Sequence, residues 1–253
     1  MRKDIIFGLR PVIEAVEAGK EVEKVFFKAG LKGDLSHSLM NLLRRHGIPF
    51  QFVPVEKLNR ISRINHQGVI AMISCITYQK LSDIIPSIYE RGETPFLLVM
   101  DSVTDVRNFG AVARTAECAG VHAILIPSKG GAMLGPDALK TSAGALHNIP
   151  VCRSENLSDS IGFLKESGLK IAAATEKEGE LYYKAELDGP TALIMGSEDQ
   201  GISPALISLS DIRIRIPIFG KINSLNVSAA ASVLIYEFLR QRSNQGQNKA
   251  VKH

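Results

Sequence analysis

The chain has 253 residues, 45% apolar and 22% charged, enough for one large or two ordinary globular domains with an ample core. Its three cysteines (Cys75, Cys118, Cys152) show no C-x-x-C spacing, none of its six histidines sits in an H-E-x-x-H pattern, and no Walker loop is present, so no metal is expected. Without an apolar N-terminal signal or a run of about 18 apolar residues, the chain reads as a reduced, soluble, cytoplasmic protein with no membrane partner.

The net charge of +4 is unevenly spread. Residues 1–80 hold 13 Lys/Arg against 7 Asp/Glu, residues 81–238 hold 13 against 19, and residues 239–253 hold 4 against none. Basic ends around an acidic body fit contact with a polyanion, and equally a solvated surface.

In chain order, Pro11 opens a helix that Gly19 ends, residues 25–27 form a short strand, and Leu39, Leu42 and Leu43 mark a second helix closed by Gly47. Apolar runs at 50–53 and 69–75 read as strands around a short helix at 55–61. This makes a small α/β domain over 1–76. His66-Gln-Gly precedes its last strand and reads as a turn. Residues 77–95, with Pro86, Gly92 and Pro95, read as a linker holding at most one short amphipathic helix.

From residue 96 the pattern changes. Residues 96–100 are continuously apolar, as in a parallel strand buried on both faces. A polar turn then runs into an Ala-rich helix that Gly120 stops, and 121–126 is a second buried strand, giving a βαβ unit. Asn108 fits the N-cap of that helix. Arg114, among Ala111, Val112, Ala113 and Ala116, either snorkels to solvent or aims at an anion or hydroxyl. Gly130 to Gly135 has the wrong spacing for a dinucleotide fingerprint and reads as a loop after a strand. Residues 140–146 are small and able to pack closely. Strands follow near 149–152, 170–175 and 192–195, with a helix at 161–167.

The strand at 192–195 ends in Gly196-Ser-Glu198-Asp-Gln-Gly201, a loop whose backbone is able to approach a ligand closely, before Ser203-Pro204 opens a helix. Ile212, Ile214, Ile216 and Ile218 then alternate with Arg213, Arg215 and Pro217, a strand that Pro217 should open into a loop. Ser224 or Asn226 is placed to cap a helix over 227–238, and a polar turn there also exposes N–H groups to a ligand. Residues 243–253 read as a disordered polar tail. Polar loops after Met100, Met195 and Ile216, each beside a glycine, are expected to converge on a small-molecule site.

Three segments carry a resemblance. Asn108-Phe-Gly-Ala-Val-Ala-Arg114, Ile194-Met-Gly-Ser-Glu198-Asp-Gln-Gly-Ile and Ile216-Pro-Ile-Phe-Gly-Lys-Ile-Asn-Ser224-Leu-Asn226-Val-Ser resemble, in order and spacing, the signature motifs of the SpoU (TrmH-like) RNA ribose 2′-O-methyltransferases of the SPOUT superfamily. Phe7-Gly-Leu-Arg-Pro-Val and His66-Gln-Gly are similar to the L30e-like RNA-binding domain of members that modify a guanosine of 23S rRNA. The resemblance implies an α/β fold: a SPOUT catalytic domain over 96–242 with a parallel sheet and a deep C-terminal trefoil knot, behind a small L30e-like domain. It implies S-adenosyl-L-methionine as cofactor, a homodimer, and rRNA as substrate, with tRNA or a catalytically silent RNA binder as alternatives. It makes Gly196, Ile216 and Leu225 cofactor-contacting positions. It makes Arg114 the activator of the ribose hydroxyl, Asn108 and Glu198 the pair that orients Arg114 and the nucleotide, and Ser224 and Asn226 the third side of the site.

Overall fold

Adjacent phenylalanines on one strand point to opposite faces of a sheet, and Phe26 and Phe27 show what that does for the first part of the chain. The computed structural model describes residues 5–176 and 178–244. The described residues divide into two compact units, one up to residue 77 together with 133–137, the other of 78–132 and those from 138 on. In the first unit β1 (Ile5–Phe7), α1 (Leu9–Glu17), β2 (Val22–Lys28), α2 (Asp34–Arg45), β3 (Phe50–Val53), α3 (Val55–Ile61) and β4 (Val69–Ile73) alternate along the chain. The strands make a mixed sheet of order β1-β4-β2-β3. Phe27 packs with Val12, Leu39 and Leu43 from α1 and α2, while Phe26 packs with Ile5 and with Leu58 of α3. The strand expected at 25–27 is longer, because β2 is an interior strand paired on both sides. Pro11 falls inside α1, which begins at Leu9.

The stretch expected to be a linker does more than connect. It holds α4 (Leu81–Glu90), whose Ile84, Ile85 and Ile88 are buried in the core of the second unit. Burying each such side chain contributes about 1.5–3 kcal/mol. The unit continues through β5 (Phe96–Met100), α5 (Val106–Cys118) and β6 (Ala123–Pro127). Then come α6 (Pro136–Thr141), a 3-10 turn at Ala145–His147, β7 (Val151–Ser154), α7 (Leu157–Glu166), β8 (Lys170–Ala174) and β9 (Glu180–Leu181). The last elements are β10 (Thr191–Met195), α8 (Pro204–Leu209), β11 (Ile212–Arg215) and α9 (Val227–Asn244).

All pairings of this second sheet are parallel, in the order β7-β6-β5-β10-β8-β11-β9. Parallel sheets need both faces covered, which is why β5 and, after Thr191, β10 read as apolar runs. One face packs Leu97, Val99 and Ile194 against α4, α7 and α8. On the other, Phe96 stacks on Phe238 of α9 with ring centroids 4.6 Å apart, and α9 meets α5 where Thr115 Oγ1 lies 3.2 Å from Ser232 Oγ. β11 ends at Arg215, just before Pro217, as the missing N–H of proline requires.

The end of α9 departs from expectation. It runs past Phe238 to Asn244, and two charges assigned to a basic tail are used inside the fold. Arg240 pairs with Glu237, whose carboxyl it holds below the usual range. Arg242 donates to the carbonyls of Thr94 (3.0 Å), Pro95 (2.9 Å) and Gly189 (2.6 Å), and its guanidinium lies over the Phe96 ring. Burial brings the Arg242 pKa down to about 10. Residues 245–253 of the expected tail lie outside the described residues. Among the described residues no helix is long and apolar enough to cross a membrane.

Candidate active site

In a parallel sheet the loops at the carboxyl ends of the strands gather at one edge. Here the ends of β8, β10 and β11 and the start of α9 surround a half-open cleft. Five of the eight residues singled out in the sequence line it: Gly196, Glu198, Ile216, Ser224 and Leu225. Thr175 and Glu176, after β8, line it as well, whereas no residue between β5 and α5 does. Of the three segments expected to converge, those after β10 and β11 line the cleft together with the loop after β8, and the one after β5 reaches its rim through Asn108. A glycine at 179, following the charged run 176–178, was the signal in the sequence for the loop after β8.

Gly196 has no room for a side chain. A Cβ there would lie 2.1 Å from the carbonyl carbon of Gly201 and 2.3 Å from the nitrogen of Ile202, both backbone atoms. The loop is pinched shut by Ser197 N–H donating to Gly201 O (3.2 Å) and Gly201 N–H donating to Ser197 O (2.9 Å). Gly201 takes φ +67°, where glycine is at little cost. Behind it, the buried Asp101 accepts from Ser203 N–H at 2.7 Å, tying the end of β5 to the start of α8.

At the rim of the cleft one carboxylate joins three elements. Glu198 Oε1 accepts from Asn108 Nδ2 (3.2 Å), from Asn226 Nδ2, and from the backbone N–H of Val227 (3.3 Å). Asn226 Nδ2 also donates to Asn108 Oδ1 at 3.0 Å. The loop after β10, the first turn of α5 and the entry to α9 are thereby held together. Asn226 has a second role as well: its Oδ1 accepts from Ser228 N–H at 2.9 Å, capping α9.

Asn108 is free for this contact because it is not the cap of its own helix. That place belongs to Asp105, whose Oδ1 accepts the N–H groups of Asn108 (2.9 Å) and Arg107 (2.7 Å); these donors hold its carboxyl below the usual range. Arg114 stands apart. It is exposed, does not line the cleft, and makes no hydrogen bond or ion pair among the described residues. Ser224 lines the cleft without a side-chain hydrogen bond. No group of metal-ligating side chains occurs among the described residues.

Residues 95–236 match the SpoU rRNA Methylase family, and residues 5–79 match the RNA 2′-O ribose methyltransferase substrate binding domain. The chain belongs to the SpoU methylase family. Relatives of this SpoU-family chain include the putative TrmH family tRNA/rRNA methyltransferase YacO of Bacillus subtilis, 32% identical over 244 residues, which covers 96% of this chain and 98% of the relative. A putative TrmH family tRNA/rRNA methyltransferase of Staphylococcus haemolyticus is 32% identical over 98% of this chain and its own full length. Among solved structures, the SpoU methyltransferase AviRb of Streptomyces viridochromogenes in complex with AdoMet shares the fold, with TM-score 0.60 at 23% identity over 95% of this chain and 90% of that one. A TrmH/SpoU tRNA modifying enzyme of A. aeolicus is 28% identical with TM-score 0.56, over 66% of this chain and 86% of that one.

Proposed function

We propose that this SpoU-family RNA methyltransferase moves a methyl group from S-adenosyl-L-methionine to a ribose 2′-hydroxyl of a guanosine in 23S rRNA. The observation that carries the reading is the bonded trio Asn108, Glu198 and Asn226 at the rim of a cleft floored by Gly196. The cofactor fits this chemistry. Gly196, Ile216 and Leu225 would hold it, offering main-chain groups and apolar side chains, with the tight 196–202 loop allowed only because residue 196 has no Cβ to strike the backbone of Gly201 and Ile202. When bound, adenosylmethionine supplies an electrophilic methyl group on a sulfonium.

A ribose hydroxyl is a poor nucleophile at neutral pH and needs help with the charge it develops. Arg114, exposed outside the cleft lining but on the same helix as Asn108, is the group for that task once the docked RNA brings its hydroxyl to it. Its guanidinium is spent on nothing else, and an arginine stays protonated, so it stabilises the alkoxide electrostatically and does not act as a base. Asn108, one helical stretch earlier on α5, fixes that helix against Glu198, and Ser224 and Asn226 close the third side. Positioning of this kind is worth several kcal/mol in transfer reactions.

Residues 1–76 are proposed as an L30e-like RNA-binding domain and 96–242 as the catalytic domain, with α4 of the stretch 77–95 packed into the core of the latter. The SpoU part is read as knotted; the placement of the late strand β11 between β8 and β9 supports this, as does the approach of Gly179 to the backbone of Arg213. A homodimer in the cytoplasm is the proposed working form, supported by the exposed apolar stripe Val233, Tyr236 and Leu239 on α9.

The test is methyl transfer from labelled adenosylmethionine to deproteinised 23S rRNA and, separately, to bulk tRNA, with the modified ribose mapped by primer extension. Arg114→Ala is expected to abolish labelling while leaving cofactor affinity within about two-fold. No label with the wild type refutes the activity, label in tRNA alone refutes the substrate, and a collapse of cofactor binding in Arg114→Ala refutes the role of that side chain.

A further inference from the structure

Histidine 66 is buried, and both of its ring nitrogens are engaged. Nδ1 accepts the N–H of Gly68 at 3.0 Å, so the ring proton must sit on Nε2, which then donates to Asn59 Oδ1 at 3.1 Å. A neutral imidazole committed on both sides is no catalytic base. What it does is fix Asn59. With the amide oxygen occupied, the Nδ2 end of Asn59 is the donor left for other partners.

Asn59 lines a shallow concavity at the end of α3 together with Glu56, Arg60, Ile61, Ser62 and Arg63. Arg60 and Arg63 are exposed and make no hydrogen bond or ion pair among the described residues, so Glu56 neutralises neither. Ser62 Oγ accepts the N–H of Ile64 at 3.2 Å. Lys57 on the same helix, over the Phe26 ring, adds a further positive charge. The concavity therefore presents two guanidinium forks and one amide N–H₂ as donors against the single carboxylate of Glu56, a net positive lining within a part of the chain carrying a net +6 (13 Lys/Arg minus 7 Asp/Glu over residues 1–80). Acceptor-only oxygens with negative charge are the complement of that set, and planar forks favour phosphate.

We propose that this concavity docks the phosphate backbone of the substrate RNA, gripped by Arg60 and Arg63, with His66 as a positioning residue that acts through Asn59. This rests on the reading of the chain as an RNA methyltransferase and assigns the face by which the front unit holds its substrate. The contact is to backbone, so it sets affinity and register and carries no base preference.

The experiment uses the full chain and in vitro transcribed 23S rRNA in filter binding across a KCl series. Arg60→Gln/Arg63→Gln is expected to weaken binding at least ten-fold at low salt. It should also make the slope of log affinity against log salt shallower by about 1.5–2, one phosphate contact per arginine. Adenosylmethionine affinity and kcat at saturating RNA stay at wild-type values while KM rises. His66→Asn keeps an acceptor for Gly68 but loses the donor to Asn59, and should raise KM several-fold. His66→Gln, with a donor near the Nε2 position, should recover most of that loss. A wild-type salt slope in the double arginine variant overturns the proposal, leaving the surface to some other partner such as an acidic protein segment. A lost slope with a wild type that transfers no label keeps the docking site and refutes methylation alone.

Discussion

Glu198 offers the sharpest perturbation, because one oxygen holds three donors that come from two other elements. Glu198→Ala leaves Asn108, Asn226 and Val227 to find water. A typical net hydrogen bond contributes about 0.5–1.5 kcal/mol, and the site is exposed enough for solvent to replace part of it. The expected loss of stability is about 1–2 kcal/mol, or roughly 2–8 °C in Tm for a domain of this size. Catalysis should suffer more. Asn108 and Asn226 keep their contact with each other but lose the anchor to the loop after β10, and a misplacement of about 1 Å costs on the order of 100-fold in rate. Glu198→Gln retains an oxygen at the same place without the charge, so its Tm should stay within about 1 °C and its rate should fall between the two. Thermal melts and single-turnover transfer on the same preparations give both numbers. An alanine variant with wild-type kcat/KM would refute the idea that this carboxylate organises the rim.

Gly196→Ala should reduce adenosylmethionine affinity by 100-fold or more in calorimetry, since its Cβ meets backbone at 2.1 Å and no side chain is there to move aside; unchanged affinity would show that the cradle lies elsewhere. Arg242→Ala removes the donor from three carbonyls at the base of β5 and should cost about 3 kcal/mol in urea unfolding, a result that a solvated tail arginine would not give. His122 accepts the N–H of Phe96 and sits near Glu93; burial, outweighing that carboxylate, pushes its pKa below 6.5. The unfolded chain then takes up this proton first as pH falls, so stability should decline below about pH 6.5, and His122→Asn should flatten that limb of the profile. An unchanged acid limb in the variant would assign it to other groups.

Much of the site was legible because its residues sit where periodicity changes. The alternation of Ile212, Ile214 and Ile216 stops at Pro217, and the helical spacing from Val227 begins directly after Asn226, so the turn between had to be a corner of the sheet. The helix cap at 105 was less legible. Asp105 and Asn108 are both good cap residues three positions apart, and only the backbone path decides between them. The two-residue β9 carries no pattern at all, since it exists only because β11 pairs with it. Arg242 misled for a different reason. In a polar stretch an arginine reads as solvated, and nothing local announces that three carbonyls and an aromatic ring from distant segments will meet it.

The late position of β11 and α9 has a consequence for shortened chains. The strand that splits β8 from β9, the turn that lines the cleft and the asparagine that closes the rim all follow residue 211. A chain that ends before residue 211 lacks the strand between β8 and β9, the Ile216, Ser224 and Leu225 part of the cleft lining, and the asparagine that closes the rim. Cleft and rim therefore both depend on the last segments of the chain to join the sheet, so removing them should cost cofactor binding and the rim together.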